Sequence, residues 1–227
     1  MNNITDVFFD LDHTLWDFDK NSLLAFDKIF KVHHPSININ AFIEVYTPIN
    51  QACWKLYQVD KITHEELRYK RLKDSFDALN YSISDQDIDK IANDYIEYLP
   101  DNNQLFDGTI EVLEYLYPKY NMHIITNGFA EVQQRKMYHS GLQKYFKTVT
   151  NSEMAGVKKP HRDIFEYALS LANANKQSAV MIGDCIDADV RGALNVGMKA
   201  IFFSEKGIQP DDNVLMITHL LELKNIL

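Results

Sequence analysis

The chain has 227 residues, 46% of them hydrophobic and 24% charged, with a net charge of −9 at pH 7 and two cysteines, Cys53 and Cys185. That is the composition of a folded globular chain, and it excludes a disordered segment, a collagen-like fibre and a small disulfide scaffold. The longest basic clusters, Lys70-Arg71 with Lys73 and Lys158-Lys159, are too short for the basic face that long nucleic acid requires, and no run approaches the ~18 apolar residues of a membrane span.

The first residues, Met-Asn-Asn-Ile-Thr-Asp, contain no basic segment leading into an apolar stretch. With two widely spaced cysteines, the expectation is a cytoplasmic protein with reduced thiols. A small anion remains a suitable partner, because a site for one needs only one or two local cations.

In chain order, Val7-Phe8-Phe9 reads as a buried strand and runs into Asp10-Leu11-Asp12-His13-Thr14. From residue 21 to residue 99 apolar residues recur at helical spacings. Thr63-His64-Glu65-Glu66 has the form of a capping box, and Ser84-Asp85-Gln86-Asp87 opens another helix with acidic residues. About four helices are predicted there, and no strand. Beyond Pro100 the pattern alternates. Helices are predicted over 109–117, 131–140, 162–172, 190–195 and 219–227. Strands are predicted over 122–126, 148–150, 179–182 and 199–203.

Repeated strand–helix units imply an α/β fold with a parallel, doubly wound sheet. The domain division is discontinuous: residues 1–15 and 101–227 form the α/β core, and residues 16–100 a helical insertion.

Four segments place polar residues at or just beyond predicted strand ends: Asp10/Asp12/Thr14, Thr126-Asn127-Gly128, Lys159-Pro160, and Asp184 with Asp187 and Asp189. In a parallel sheet such ends converge on one edge, where ligands bind. Carboxylates offer the oxygen ligands that Mg²⁺ takes. A lysine and free backbone amides suit a phosphate. Metal and phosphate together point to phosphoryl transfer.

Asp10-Leu11-Asp12-His13-Thr14-Leu15, Ile124-Ile125-Thr126-Asn127-Gly128, Lys159-Pro160 and Gly183-Asp184-Cys185-Ile186-Asp187-Ala188-Asp189 resemble, in order and spacing, the four motifs of the haloacid dehalogenase-like hydrolase superfamily. The resemblance extends over nearly the whole chain and includes a helical cap inserted after the first motif. It implies a Rossmann-like doubly wound sheet carrying that cap. Asp10 to Phe18, Ile125 to Phe129, and Gly156-Val157-Lys158-Lys159-Pro160 leading into Ile164 to Leu169 further resemble the noncanonical pyrimidine nucleotidase branch. These are bacterial 5′-nucleotidases acting on pyrimidine nucleoside monophosphates.

The resemblance implies a role for each motif residue. Asp10 is the nucleophile that forms an aspartyl-phosphate, and Asp12 is the acid and base that protonates the leaving group and then activates water. Relatives that cleave carbon–halogen bonds lack an acid at the Asp12 place. Lys159, which directly precedes the proline, is the catalytic cation. Thr126 and the Asn127 amide bind phosphoryl oxygens. Asp10, Asp12 (through its backbone carbonyl) and Asp184 hold Mg²⁺. Asp189 acts through a metal-bound water or by orienting Lys159. Asp187 is an extra acid, one helical turn from neither Asp184 nor Asp189. His13 is given no role, and Cys185 reads as a packing residue.

The implied activity is Mg²⁺-dependent hydrolysis of a small phosphorylated metabolite, foremost a pyrimidine nucleoside monophosphate. The alternatives are a phosphatase for another small monoester, such as phosphoglycolate or a sugar phosphate, and a non-enzymatic phospho-receiver or binding module. The core motifs handle phosphate and metal alone, so selectivity is expected from the insertion, acting as a lid. Trp54, Tyr57 and Arg71 match positions that recur in related caps, and Trp16 and Phe18 follow the nucleophile motif. Most aromatics at such spacings hold helices together.

Overall fold

The computed structural model describes residues 1, 3–208 and 214–227. The described chain divides into two units, Met1–Phe18 with Gln104–Leu227, and Asp19–Asn103.

The first unit is built on six parallel strands: β1 (Asp6–Phe9), β2 (Asn121–Thr126), β3 (Thr148–Asn151), β4 (Ala179–Gly183), β5 (Lys199–Phe203) and β6 (Leu215–Ile217), in the order β3-β2-β1-β4-β5-β6. β1 and β4 are buried along their whole length, and β2 and β5 at all but their first residue. Near-continuous apolar runs are what a parallel sheet covered on both faces requires. The chain winds from β1 outward through β2 and β3, then returns to the other side of β1 for β4. The strand order therefore reverses beside β1, and the crevice outside the strand ends at such a point is where an open α/β sheet binds ligands.

Helices α5 (Thr109–Leu116), α6 (Ala130–His139), α7 (Ser152–Ala155), α8 (Arg162–Ala172) and α9 (Gly192–Val196) connect the strands. One buried cluster joins Phe8, Ile125 and Met181 of the sheet to Ile164, Phe165, Ala168 and Leu169 of α8 and Ala193 and Val196 of α9.

Several elements differ from their sequence-based reading. The predicted helix over 190–195 is preceded by a π-helical stretch, Ile186–Arg191, in which Cys185 C=O accepts from both Asp189 and Val190 N–H. The predicted final helix is instead a 3₁₀ segment, Leu220–Asn225, with a capping box between His219 and Glu222. β6 has no counterpart in the prediction. It is three residues long, and parallel pairing with β5 defines it.

The second unit contains the rest of α1 (Phe18–His33) with α2 (Ile39–Gln58), α3 (His64–Ala78) and α4 (Asp85–Tyr98). Thr63 caps α3 in a full capping box with Glu66, and Ser84 caps α4, so the cap signals in the sequence mark real helix starts. The interior is aromatic. Phe26 stacks on Tyr95 at 4.4 Å and meets Phe42 and Tyr46 edge-on. Among the described residues no helix is long and apolar enough to cross a membrane.

Candidate active site

Asp10 follows β1 directly, and its N–H donates to Ile182 C=O of β4 at 2.9 Å. Asp184 follows β4, so sheet pairing alone brings these two carboxylates together. Thr14 Oγ1 donates to Asp184 Oδ1 at 3.4 Å. One ligand oxygen from each of Asp10, Asp184 and Asp189 lies within 4.8 Å of the others.

Asp189 joins them through the π-helical stretch, the kind of local irregularity often found at functional sites. Its fully buried carboxylate accepts from Lys159 Nζ at 2.6 Å and from Cys185 N–H at 3.0 Å. Gly183 makes this possible. A Cβ there would stand 2.3 Å from Asp189 Oδ2, so the strand end must be glycine for the carboxylate to fold back over it.

Lys159 is buried, with Nζ 2.8 Å from Asp10 Oδ1, 2.6 Å from Asp189 Oδ1 and 2.7 Å from Ile125 C=O. An ammonium has three donors, and each has an acceptor. Asn127 holds the Lys159 backbone at both ends: its Nδ2 donates to Lys159 C=O at 3.0 Å, and its Oδ1 accepts the Lys159 N–H at 2.7 Å. The Lys159-Pro160 peptide bond is cis. The Asn127 side chain thus anchors the lysine loop, a task separate from the phosphate contact expected of its backbone amide. Thr126 Oγ1 accepts from Gly128 N–H at 3.1 Å and from Gln133 Nε2 at 2.7 Å. With both lone pairs engaged, the hydroxyl is left to donate its proton, as an anionic oxygen requires.

Three carboxylates and one ammonium leave two surplus negative charges. Burial pushes the Asp10 carboxyl up to about 7; Lys159 opposes this, while Asp189 and Asp12 add to it. Burial, then Asp10 and Asp189, raises Asp184 well above the ordinary carboxylate range. Burial draws the Lys159 ammonium down, but Asp10 and Asp189 outweigh it and the net shift is upward. The cluster therefore takes up protons or a cation. Its all-oxygen donors and surplus charge suit a hard divalent ion. Burial, reinforced by Asp189, pushes the Cys185 thiol up to about 12, so it is no nucleophile at neutral pH.

The Asp12 carboxylate has its own partners. Lys136 Nζ donates to its Oδ1 at 2.6 Å and Gln133 Nε2 to its Oδ2 at 2.8 Å. Sequence reasoning missed Lys136 and Gln133. The available signal was their place on α6, where Val132, Gln133, Lys136 and Met137 form the buried face and helical periodicity expects apolar residues. Asp187 is exposed and paired with Arg191, which takes it out of the carboxylate cluster. Trp16 is fully buried in the first unit, beneath Lys136. Arg71 is 2% exposed inside the helical unit, hydrogen-bonded to Asn50 Oδ1 at 3.2 Å and 5.0 Å from the Tyr95 ring centroid.

Sequence and structural relatives point to one family. The sequence pattern of the haloacid dehalogenase-like hydrolases matches residues 6–197. The pyrimidine 5′-nucleotidase PynA of Streptococcus pneumoniae is 32% identical over 97% of this chain and 96% of its own length. The pyrimidine 5′-nucleotidase YjjG of Escherichia coli is 29% identical, with 96% of each chain covered. The solved structure of the HAD-hydrolase YfnB of Bacillus subtilis, bound to magnesium, superposes with a TM-score of 0.88 at 26% identity over 99% of both chains. The chain belongs to the haloacid dehalogenase-like hydrolase family.

Proposed function

We propose that the protein is a Mg²⁺-dependent 5′-nucleotidase that hydrolyses pyrimidine nucleoside monophosphates through a phosphorylated Asp10, with the helical unit serving as the cap. The observation that carries this reading is Asp10 held by Lys159 beside Asp184, with a second acid, Asp12, two residues on and separately held. The substrate class rests on the two nucleotidase relatives that align along almost the whole chain.

Mg²⁺ fits the oxygen-only donors and the two surplus negative charges; the Asp10 and Asp184 carboxylates and the Asp12 backbone carbonyl would hold it, with Asp189 in support. Bound there, it would neutralise charge on the phosphoryl group and on Asp10. Lys159 fixes the Asp10 carboxylate and favours its anionic form against the burial that raises it. An Asp10 oxygen attacks phosphorus, the bond to the ester oxygen breaks, and Asp12 gives that oxygen its proton. Thr126 and the Asn127 amide bind the phosphoryl oxygens. Asp12 then takes a proton from water, whose oxygen attacks phosphorus. The Asp10–phosphorus bond breaks and inorganic phosphate leaves.

The test is phosphate release, with Mg²⁺ and with EDTA, from uridine, cytidine, adenosine and guanosine monophosphates, phosphoglycolate, a sugar phosphate and 4-nitrophenyl phosphate. The expected result is Mg²⁺-dependent release with the highest kcat/KM on a pyrimidine monophosphate. A higher value on phosphoglycolate or the sugar phosphate replaces the nucleotidase reading with one of those. No release from any ester points to a receiver or binding module.

A further inference from the structure

Helix α6 holds the acid–base residue proposed above, Asp12, by both of its oxygens. Lys136 serves Asp12 Oδ1 and Gln133 serves Oδ2. The two donors are three residues apart and lie on one face of the helix. Lys136 is 2% exposed and Gln133 1%. The Lys136 ammonium stands 4.2 Å from the Trp16 ring centroid and 5.3 Å from that of Phe18. Burying a lysine this deeply is costly unless a carboxylate and aromatic faces compensate, and both are present.

Gln133 Nε2 has two hydrogens, one directed to Asp12 and the other to Thr126 Oγ1. It thereby spaces the acid from the hydroxyl expected to bind phosphate. Gly128 leaves the room it needs, because a Cβ there would come within 2.2 Å of Gln133 Nε2. Asp12 itself begins a turn closed by an isolated β-bridge to Trp16, beside His13, whose φ is 61°. The local backbone offers no helix or strand to orient the carboxylate, and α6 supplies the orientation.

We infer that Lys136 and Gln133 are positioning residues for the general acid: they hold the Asp12 carboxyl in the orientation from which it delivers a proton to the leaving oxygen. The inference rests on the phosphatase reading and adds to it. Neither residue touches the reacting atoms, and the proton still passes from Asp12 to the ester oxygen as the phosphorus–oxygen bond breaks. Their contribution therefore scales with how much the leaving group needs that proton. An alkoxide needs it and 4-nitrophenolate does not.

The experiment compares kcat/KM on the most active alkyl monoester of the panel with kcat/KM on 4-nitrophenyl phosphate. The proteins are wild type, Lys136→Met, Lys136→Gln, Asp12→Asn and the Asp12→Asn, Lys136→Met double variant. Lys136→Met is expected to lose about 100-fold on the alkyl ester, the scale of general acid catalysis, and less than about fivefold on the aryl ester. In the Asp12→Asn background the same substitution is expected to cost nothing further on the alkyl ester, since groups that act as a unit are not additive. If Lys136→Met does not fold by circular dichroism, Lys136→Gln is read by the same criterion. Equal losses on the two esters, or additive losses in the double variant, would overturn the inference. Failure of the underlying reading looks different: Asp12→Asn would then hydrolyse the alkyl ester at the wild-type rate.

Discussion

Gly183→Ala adds one methyl group to the end of β4 and should disable the site from beneath. The new carbon would lie 2.3 Å from Asp189 Oδ2, 2.4 Å from its Cγ and 2.6 Å from its Cβ, against an ordinary contact of about 3.5 Å. Moving a flexible tip cannot relieve this, because the clash includes the Asp189 Cβ. The Asp189 carboxylate is fully buried and tied to Lys159 Nζ at 2.6 Å and Cys185 N–H at 3.0 Å. Displacing it removes one of the two carboxylates that offset the buried lysine. Lys159 keeps Asp10, so the loss is that of hydrogen bonds to a charged group, about 1.5–3 kcal/mol, which for a chain of this size lowers Tm by roughly 3–12 °C. Thermal unfolding followed by circular dichroism measures the loss. In the fraction that stays folded, Lys159 is no longer held against Asp10 from its far side, and kcat should fall with it. A Gly183→Ala protein that melts within about 2 °C of wild type and turns over at the wild-type rate would refute this account of how the strand end, the π-helical stretch and the lysine depend on one another.

Other consequences follow from the same geometry. The Asp10 carboxyl, raised from 3.8 to about 7, keeps its proton in the folded state between those values while the unfolded chain has lost its own. The group therefore stabilises the cation-free protein below about pH 4, and that contribution fades as pH rises toward 7. Because Mg²⁺ must displace the proton, the gain in Tm on adding Mg²⁺ in place of EDTA should be larger near pH 7.5 than near pH 5.5; an equal gain at both would contradict it. Arg71→Ala should lower kcat/KM on a pyrimidine monophosphate and on 4-nitrophenyl phosphate by the same factor, because Arg71 braces Asn50 and Tyr95 inside the helical unit. A loss confined to the nucleotide would assign it to base recognition.

Those parts of the fold that rest on local pattern were legible in the sequence. Val7-Phe8-Phe9, the run into Thr126 and the run into Gly183 are apolar, short and bounded, and each is a central strand. Once they are parallel neighbours, topology alone brings Asp10 and Asp184 together, and no side-chain detail is needed. Features set by tertiary contact were not legible. β6 begins with an exposed Leu215 and gains its identity from β5. The stretch around Asp189 is π-helical, and nothing in Ile-Asp-Ala-Asp-Val-Arg separates that from the start of an ordinary helix. Lys136 and Gln133 are residue types that normally face water, so a helix carrying them toward the interior is recognisable only when Asp12 is found opposite. Arg71's match to a recurring cap position was legible, whereas its burial beside Asn50 and the Tyr95 ring was not.

The central claim is that phosphate passes through a covalent bond to Asp10, and direct capture of that species tests it. Acid quenching during turnover of 4-nitrophenyl phosphate, followed by proteolysis and mass spectrometry, locates any phosphoryl group on the chain. Asp12→Asn serves as the trap, since losing the base slows the second step while 4-nitrophenolate still leaves unaided. The expected result is one phosphoryl group on the peptide that carries Asp10, more abundant in Asp12→Asn than in wild type and absent from Asp10→Asn. Substrate turnover with an unmodified Asp10 in the Asp12→Asn protein, or a phosphoryl group on another residue, would contradict the account.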